Sequence, residues 1–207
     1  VSNIAEAPNE NLGREFLELF TLGEGRGYTQ DDVRGAAQIL TGFTIEDAGA
    51  PFTYLNEDEH RQGAKTIFGK TADYDVNDLT PLTLSRPEFG PYIVEKLWRA
   101  FISDQPDPAE VARLTGIWKA NNLEMKPLLE ALFLTEAFWA PANRGRLVKS
   151  PLEMLVGTSR SLGLAMPDAR ELRWMAEELG QTPFMPPNVG GWPEGTEWIN
   201  DAFTLPG

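Results

Sequence analysis

Asn11, Arg14, Glu15 and Glu18 stand close together in the stretch NENLGREFLELFTLG. At about 100° per residue, a helix there gathers all four into one sector roughly 100° wide. Leu12, Phe16, Leu19 and Phe20 then form a separate apolar stripe. Two carboxylates at i and i+3 can bind a hard cation or divide acid–base work between them. Arg14 can equally pair with one of them and brace neighbouring segments, and the spacing leaves both readings open. His60 is the only histidine. It could act as a general acid or base, or join a metal if Glu15 or Glu18 came near, or be a solvated or hydrogen-bonded loop residue.

Further candidates are cationic or aromatic. Lys65 and Lys149, gathered with other cations in one cleft, could hold a phosphate, sulfate or carboxylate. As isolated side chains they are surface groups. Trp192 and Trp198 lie in GGWPEGTEW, which could offer ring faces to a sugar. An enzyme built from these parts would use Glu15 or Glu18 as general base, His60 as proton donor, and Lys65 or Arg14 as an anion clamp. G-x-S-x-G, a Walker loop, a dinucleotide fingerprint and an EF-hand loop are all missing, so no cofactor is expected. With no cysteine, thiolate metal sites, disulfides and a cysteine nucleophile are excluded. A lone histidine likewise excludes a multi-histidine zinc site.

These residues depend on elements that are mostly helical. After the opening helix comes the glycine-rich turn GEGRGYTQ. Thr29 with Asp32 three residues on starts a second helix near 30–42, with a narrow seam of Val33, Ala36, Ala37 and Leu40. Between Gly42 and Gly69 the period changes: FTI, FTYL and KTIFG are short, β-branched and aromatic, and predict a hairpin or three-stranded insertion near residues 43–69. A short helix near 76–84 follows. Ser85 with Glu88 reads as a capping box for the next, whose stripe is Phe89, Ile93, Leu97, Ala100 and Phe101. Ser150-Pro151-Leu152-Glu153 combines an N-cap, a proline at the first helical position and a capping glutamate. That helix is expected to reach about Gly163, with another over 167–180. The Pro/Gly-rich remainder carries Phe184, Trp192 and Trp198, which are expected to pack on the helices. The fold class expected is mainly α, with residues 1–207 forming one helical domain.

The 207 residues are 42% hydrophobic and 10% aromatic, a globular composition. A net charge of −13 argues against nucleic acid and anionic membrane surfaces as partners. No run of apolar residues is long enough to span a bilayer.

Five motifs in order carry a resemblance: NEN-x-x-RE-x-x-EL-x-TLG, GYTQDDV…LTGF, H-x-x-G-x-KTI-x-G, KSPLE…R-x-LG, and GQ-x-PF-x-PP…GWP-x-G-x-x-W. Their order resembles the bacterial domain-of-unknown-function family numbered 1800, from about residue 8 to 200. The resemblance implies a mainly helical protein, exported to the periplasm or beyond, and longer than this chain, which would be its C-terminal part. By association it implies a sulfatase-like partner of the family numbered 1501, and an extracellular polymer, such as a polysaccharide, as a second kind of partner. No catalytic residues come with it. Asn11, Arg14, Glu15 and Glu18 stand on the first motif, His60 and Lys65 on the third, and Lys149, Trp192 and Trp198 on the last two. Where the family has His-Asp this chain has His60-Arg61, and Arg can neither orient the histidine nor bind metal. The leading expectation is therefore an accessory or binding module acting with a partner protein or polymer. The alternatives are a hydrolase-like enzyme on a phosphorylated or sulfated substrate, and a carboxylate-rich metal site.

Overall fold

The computed structural model describes residues 3–45 and 53–199. Phe52, first in the FTYL stretch, and the tail after Ile199 lie outside the described residues. The protein is mainly α with a small β insertion, as expected from the periodicity. The chain divides into two compact units, one of residues up to Lys96 plus Pro108–Met125, the other of Leu97–Asp107 plus Lys126 onward.

In the first unit, Asn9 caps α1 (Glu10–Glu15) by accepting from the amides of Asn11 and Leu12. The helix then widens into a π-helical segment, Phe16–Thr21. This changes which residues face inward. A π turn closes on i→i+5 rather than i→i+4, so an angular step of about 100° no longer holds. Leu17 and Leu22 are fully buried, whereas Phe20 is 64% exposed and Leu12 is also exposed. The expected stripe of Leu12, Phe16, Leu19 and Phe20 is thus corrected: the fully buried positions are Leu17 and Leu22, five residues apart.

Thr29 and Asp32 close the anticipated capping box on α2 (Gln30–Ile39). Val33, Ala36, Ala37 and Ile39 are fully buried. The helix is approached closely from two sides. A Cβ on Gly13 would fall 2.4 Å from the Val33 carbonyl oxygen, and one on Gly35 would fall 2.1 Å from that of Thr66. Glycine at these two positions lets α1 and the β insertion touch α2 backbone to backbone.

The insertion is two hairpins: β1 (Phe43–Ile45) pairs antiparallel with β2 (Thr53–Leu55), and β3 (Lys65–Ile67) with β4 (Lys70–Ala72). The last strand, KTA, lies beyond the predicted insertion. In β3, Lys65 and Ile67 point inward and Thr66 outward. Asp75 caps α3 (Val76–Leu84). Ser85, however, does not begin the next helix. Its hydroxyl donates to the Leu82 carbonyl at the end of α3, and Glu88 faces Arg86 instead. The next helix, α4 (Phe89–Phe101), starts past both. Of the predicted stripe Phe89 is buried, but further along Val94 and Trp98 are buried in place of Ile93 and Leu97, one residue on, and Ala100 and Phe101 are exposed. Helix α5 (Pro108–Ala120) completes this unit; its Trp118 stacks on Phe89 at 5.5 Å between ring centroids.

The second unit holds α6 (Met125–Phe133) from Lys126, then α7 (Glu136–Trp139), α8 (Pro151–Ser161) and α9 (Ala169–Glu178). Ser150 and Glu153 form the expected capping box. Phe101, Phe133, Phe138 and Trp139 make a chain of edge-on and tilted ring contacts. Phe184 departs from expectation: it is 96% exposed, at a residue with φ of 63°, so the Pro/Gly-rich stretch does not bury all its aromatics.

Gly35→Ala forces a Cβ into a backbone carbonyl that cannot swing aside. It should lower unfolding free energy by about 1–3 kcal/mol, the usual range for overpacking. Urea unfolding followed by circular dichroism measures this, and Gly116→Ala, where a Cβ meets nothing within 4 Å, is the matched control.

Candidate functional site

The charged sector of the opening helix is a hydrogen-bonded network. Asn11 Nδ2 donates to Glu15 Oε1 at 2.8 Å. Arg14 donates from one nitrogen to Glu18 at 3.3 Å and from another to the Gln30 side-chain carbonyl at 2.6 Å. Gln30 in turn donates to Glu10, which also accepts from Arg34. The Tyr28 hydroxyl donates to Glu18 Oε1 at 2.8 Å and accepts from the Gly25 amide. Links therefore run from α1 and the π segment across to the turn before α2 and to α2 itself. Arg14 and Glu18 are 39% and 20% exposed at their side chains, so their pairing falls in the weak, solvent-screened range rather than that of a buried ion pair.

The π segment has a further effect. Its Leu19 carbonyl accepts from the Tyr92 hydroxyl at 2.9 Å and from Lys96 at 3.3 Å. Arg26 and Lys96 each stand 5–6 Å from the centre of the Tyr92 ring, and Arg26 grips Glu95 through two nitrogens.

His60 is placed elsewhere in this unit. Its Nδ1 lies 2.9 Å from the Thr41 carbonyl oxygen. A carbonyl only accepts, so Nδ1 carries the hydrogen. The amide of Arg61 donates to the Thr41 hydroxyl, fixing the loop against the end of α2. No hydrogen bond or ion pair among the described residues joins His60 to Glu15 or Glu18. Lys65 is 2% exposed, its ammonium donating to the Gly63 carbonyl and to Asp73. Lys149, Trp192 and Trp198 belong to the second unit, where Lys149 is exposed, Trp192 half-buried and Trp198 buried. Among the described residues, no three His, Asp or Glu side chains group closely enough to hold a metal ion.

A second arrangement was not singled out from sequence. An open cleft of about 410 Å³ is bounded by Thr29, Asp31 and Asp32 at the start of α2, by Thr66 and Phe68 of the β3–β4 hairpin, and by Arg86. Asp32 is fully engaged: one oxygen accepts from the Thr29 amide and hydroxyl, the other from the Phe68 amide. Asp31 pairs with Arg34. Arg86 donates to the Gly27 carbonyl, and its guanidinium carbon stands 4.9 Å from the centre of the Phe68 ring. The cleft draws on three stretches far apart in sequence. The Thr29–Asp32 capping box and the KTIFG turn were each visible locally, but nothing in either points to Arg86.

Fold and site together define a mainly helical protein with a small β insertion, braced by charge networks and carrying an acid-rimmed cleft. The sequence profile of DUF1800, a protein of unknown function, matches residues 1–206, and the chain belongs to that family. No curated protein and no solved structure matches it.

Burial first, with a smaller part from the hydrogen bond to Glu18, holds the Tyr28 hydroxyl above its ordinary ionisation range, and the Gly25 amide opposes this. A raised phenol pKa means the folded state keeps its proton after the unfolded chain has lost one. The contribution to stability is thus complete below the unfolded value and disappears as pH rises through the folded one. Alkaline titration of tyrosinate absorbance should show one late step that is missing in Tyr28→Phe. Glu18→Gln should bring that step to lower pH, because a neutral amide disfavours the phenolate less.

Proposed function

We propose that this chain is part of an exported bacterial accessory module that binds a partner protein or an extracellular polymer and is not itself a hydrolase. The observation that carries this reading is that Glu15, Glu18 and His60 sit in separate hydrogen-bonded sets. General acid–base work needs both partners within hydrogen-bond reach of one reacting atom. Here Glu15 is held by Asn11, Glu18 by Arg14 and Tyr28, and His60 by the Thr41 carbonyl. The anion-clamp candidates are occupied too, Arg14 by Glu18 and Gln30 and the buried Lys65 by Asp73 and Gly63. Export and a sulfatase-like partner of the family numbered 1501 are proposed on the family resemblance, in the periplasm or outside the cell.

Glu18→Gln distinguishes the roles. In a brace between helices it should lower stability by on the order of 1 kcal/mol, since the Arg14 pair is half-exposed and the Tyr28 bond can be partly replaced. Incubation of the purified chain with chromogenic phosphate and sulfate esters should release nothing above the buffer rate. Turnover that Glu18→Gln or Glu15→Gln abolishes, with unfolding unchanged, would overturn the accessory reading. For localisation, an antibody against the chain should find it in the periplasmic or extracellular fraction, and a cytoplasmic pool alone would refute export.

A further inference from the structure

We propose that the cleft between α2 and the β3–β4 hairpin is a saccharide site, with Phe68 as the ring platform, Arg86 as a hydroxyl-directed donor and Asp31 as an acceptor. This deepens, and rests on, the reading of the chain as a polymer-binding module. Its volume of about 410 Å³ falls in the range of small-ligand sites. The charges select the ligand. Asp31, Asp32 and Glu88 stand against two guanidiniums, Arg86 and the Arg34 that pairs with Asp31, so the carboxylates are in excess and an anionic group is disfavoured. Asp31 holds Arg34, Thr29 holds Asp32, Thr66 holds Thr71 and Arg86 holds the Gly27 carbonyl. A carboxylate and a guanidinium each have bonding capacity beyond one partner, however, and a sugar hydroxyl, which both donates and accepts, can add to either.

The conformation of Phe68 is a further observation that bears on the cleft. Phe68 occupies the left-handed region, with φ of 50°, at the first turn position of Ile67-Phe68-Gly69-Lys70. Hairpin turns of this kind normally use Asn, Asp or Gly there. A residue other than these is strained there, and Phe68 lines the cleft with its ring against the Arg86 guanidinium.

The test is calorimetric titration of the chain with four uncharged tetrasaccharides: cellotetraose, maltotetraose, mannotetraose and chitotetraose (the N-acetylated form). At least one should bind, and Arg86→Gln should weaken it roughly tenfold. Because Arg86 also holds Gly27, Phe68→Asn is the second variant. Asparagine tolerates positive φ, so this variant should remain folded by circular dichroism yet lose roughly tenfold in affinity. Trp192→Ala should bind as the parent does. Binding that survives both cleft substitutions, or binding lost only in Trp192→Ala, overturns the assignment to this cleft. No binding of any of the four overturns the saccharide site. Assaying the same mixtures for new reducing ends separates the two readings. Binding with cleavage would defeat the non-hydrolytic role and keep the site, whereas neither binding nor cleavage would defeat the site alone.

Discussion

The buried carboxylate of Asp32 joins the start of α2 to the β3–β4 hairpin. One oxygen closes the N-terminus of α2 through the Thr29 amide and hydroxyl, and the other takes the amide of Phe68 at the hairpin turn. A helix start and a β-turn each leave a backbone N–H in need of an acceptor. Here one buried anion serves both, which ties the hairpin turn to the start of the helix. The same stretch of contact sets Thr29, Asp32 and Phe68 along the cleft and brings Thr66 close to Gly35.

Around this point the unit is held by close backbone approach rather than by bulk. Gly13 on one side and Gly35 on the other bring α1 and β3 against α2, whose buried apolar side chains are Val33, Ala36, Ala37 and Ile39. Large side chains would push these elements apart, and short interaxial distances need small residues at the contact. The polar network of Glu10, Arg14, Glu18, Tyr28 and Gln30 then runs along the outer edge of the same contact. Its worth is chiefly geometric: it fixes the angle of α1 on α2, while the solvent screening of its half-exposed members keeps its energetic share small.

How much of this the sequence discloses depends on the range of each interaction. Thr29/Asp32 and Ser150/Glu153 are local pairs three residues apart, and the structure forms both capping boxes as read. Ser85/Glu88 has the same local form and fails, because Ser85 can equally finish α3 and Glu88 finds Arg86. Pattern alone cannot rank two acceptors that both lie within reach. The π segment at Phe16–Thr21 is invisible to a periodic count, since its register is set by contacts such as Tyr92 and Lys96 on Leu19, more than seventy positions away. The cleft is hidden for the same reason: residues near 30, near 67 and at 86 meet only in the fold. The placement of Lys65 inside β3 is half legible, because strand alternation puts it on the side of Ile67, yet a lysine invites the opposite assignment.

The π-helical segment amounts to one surplus residue carried inside a helix. A relative with one deletion between Phe16 and Thr21 would close on ordinary turns, and all that follows would be rotated by about a third of a revolution and drawn back along the axis by about 1.5 Å. The Leu19 carbonyl would leave Tyr92 and Lys96, and the Glu18 oxygen would leave Tyr28. Chain length across these six positions is therefore under tighter restraint than the identity of the exposed side chains they carry. Insertions and deletions should accumulate in the surrounding loops, while this short stretch keeps its count.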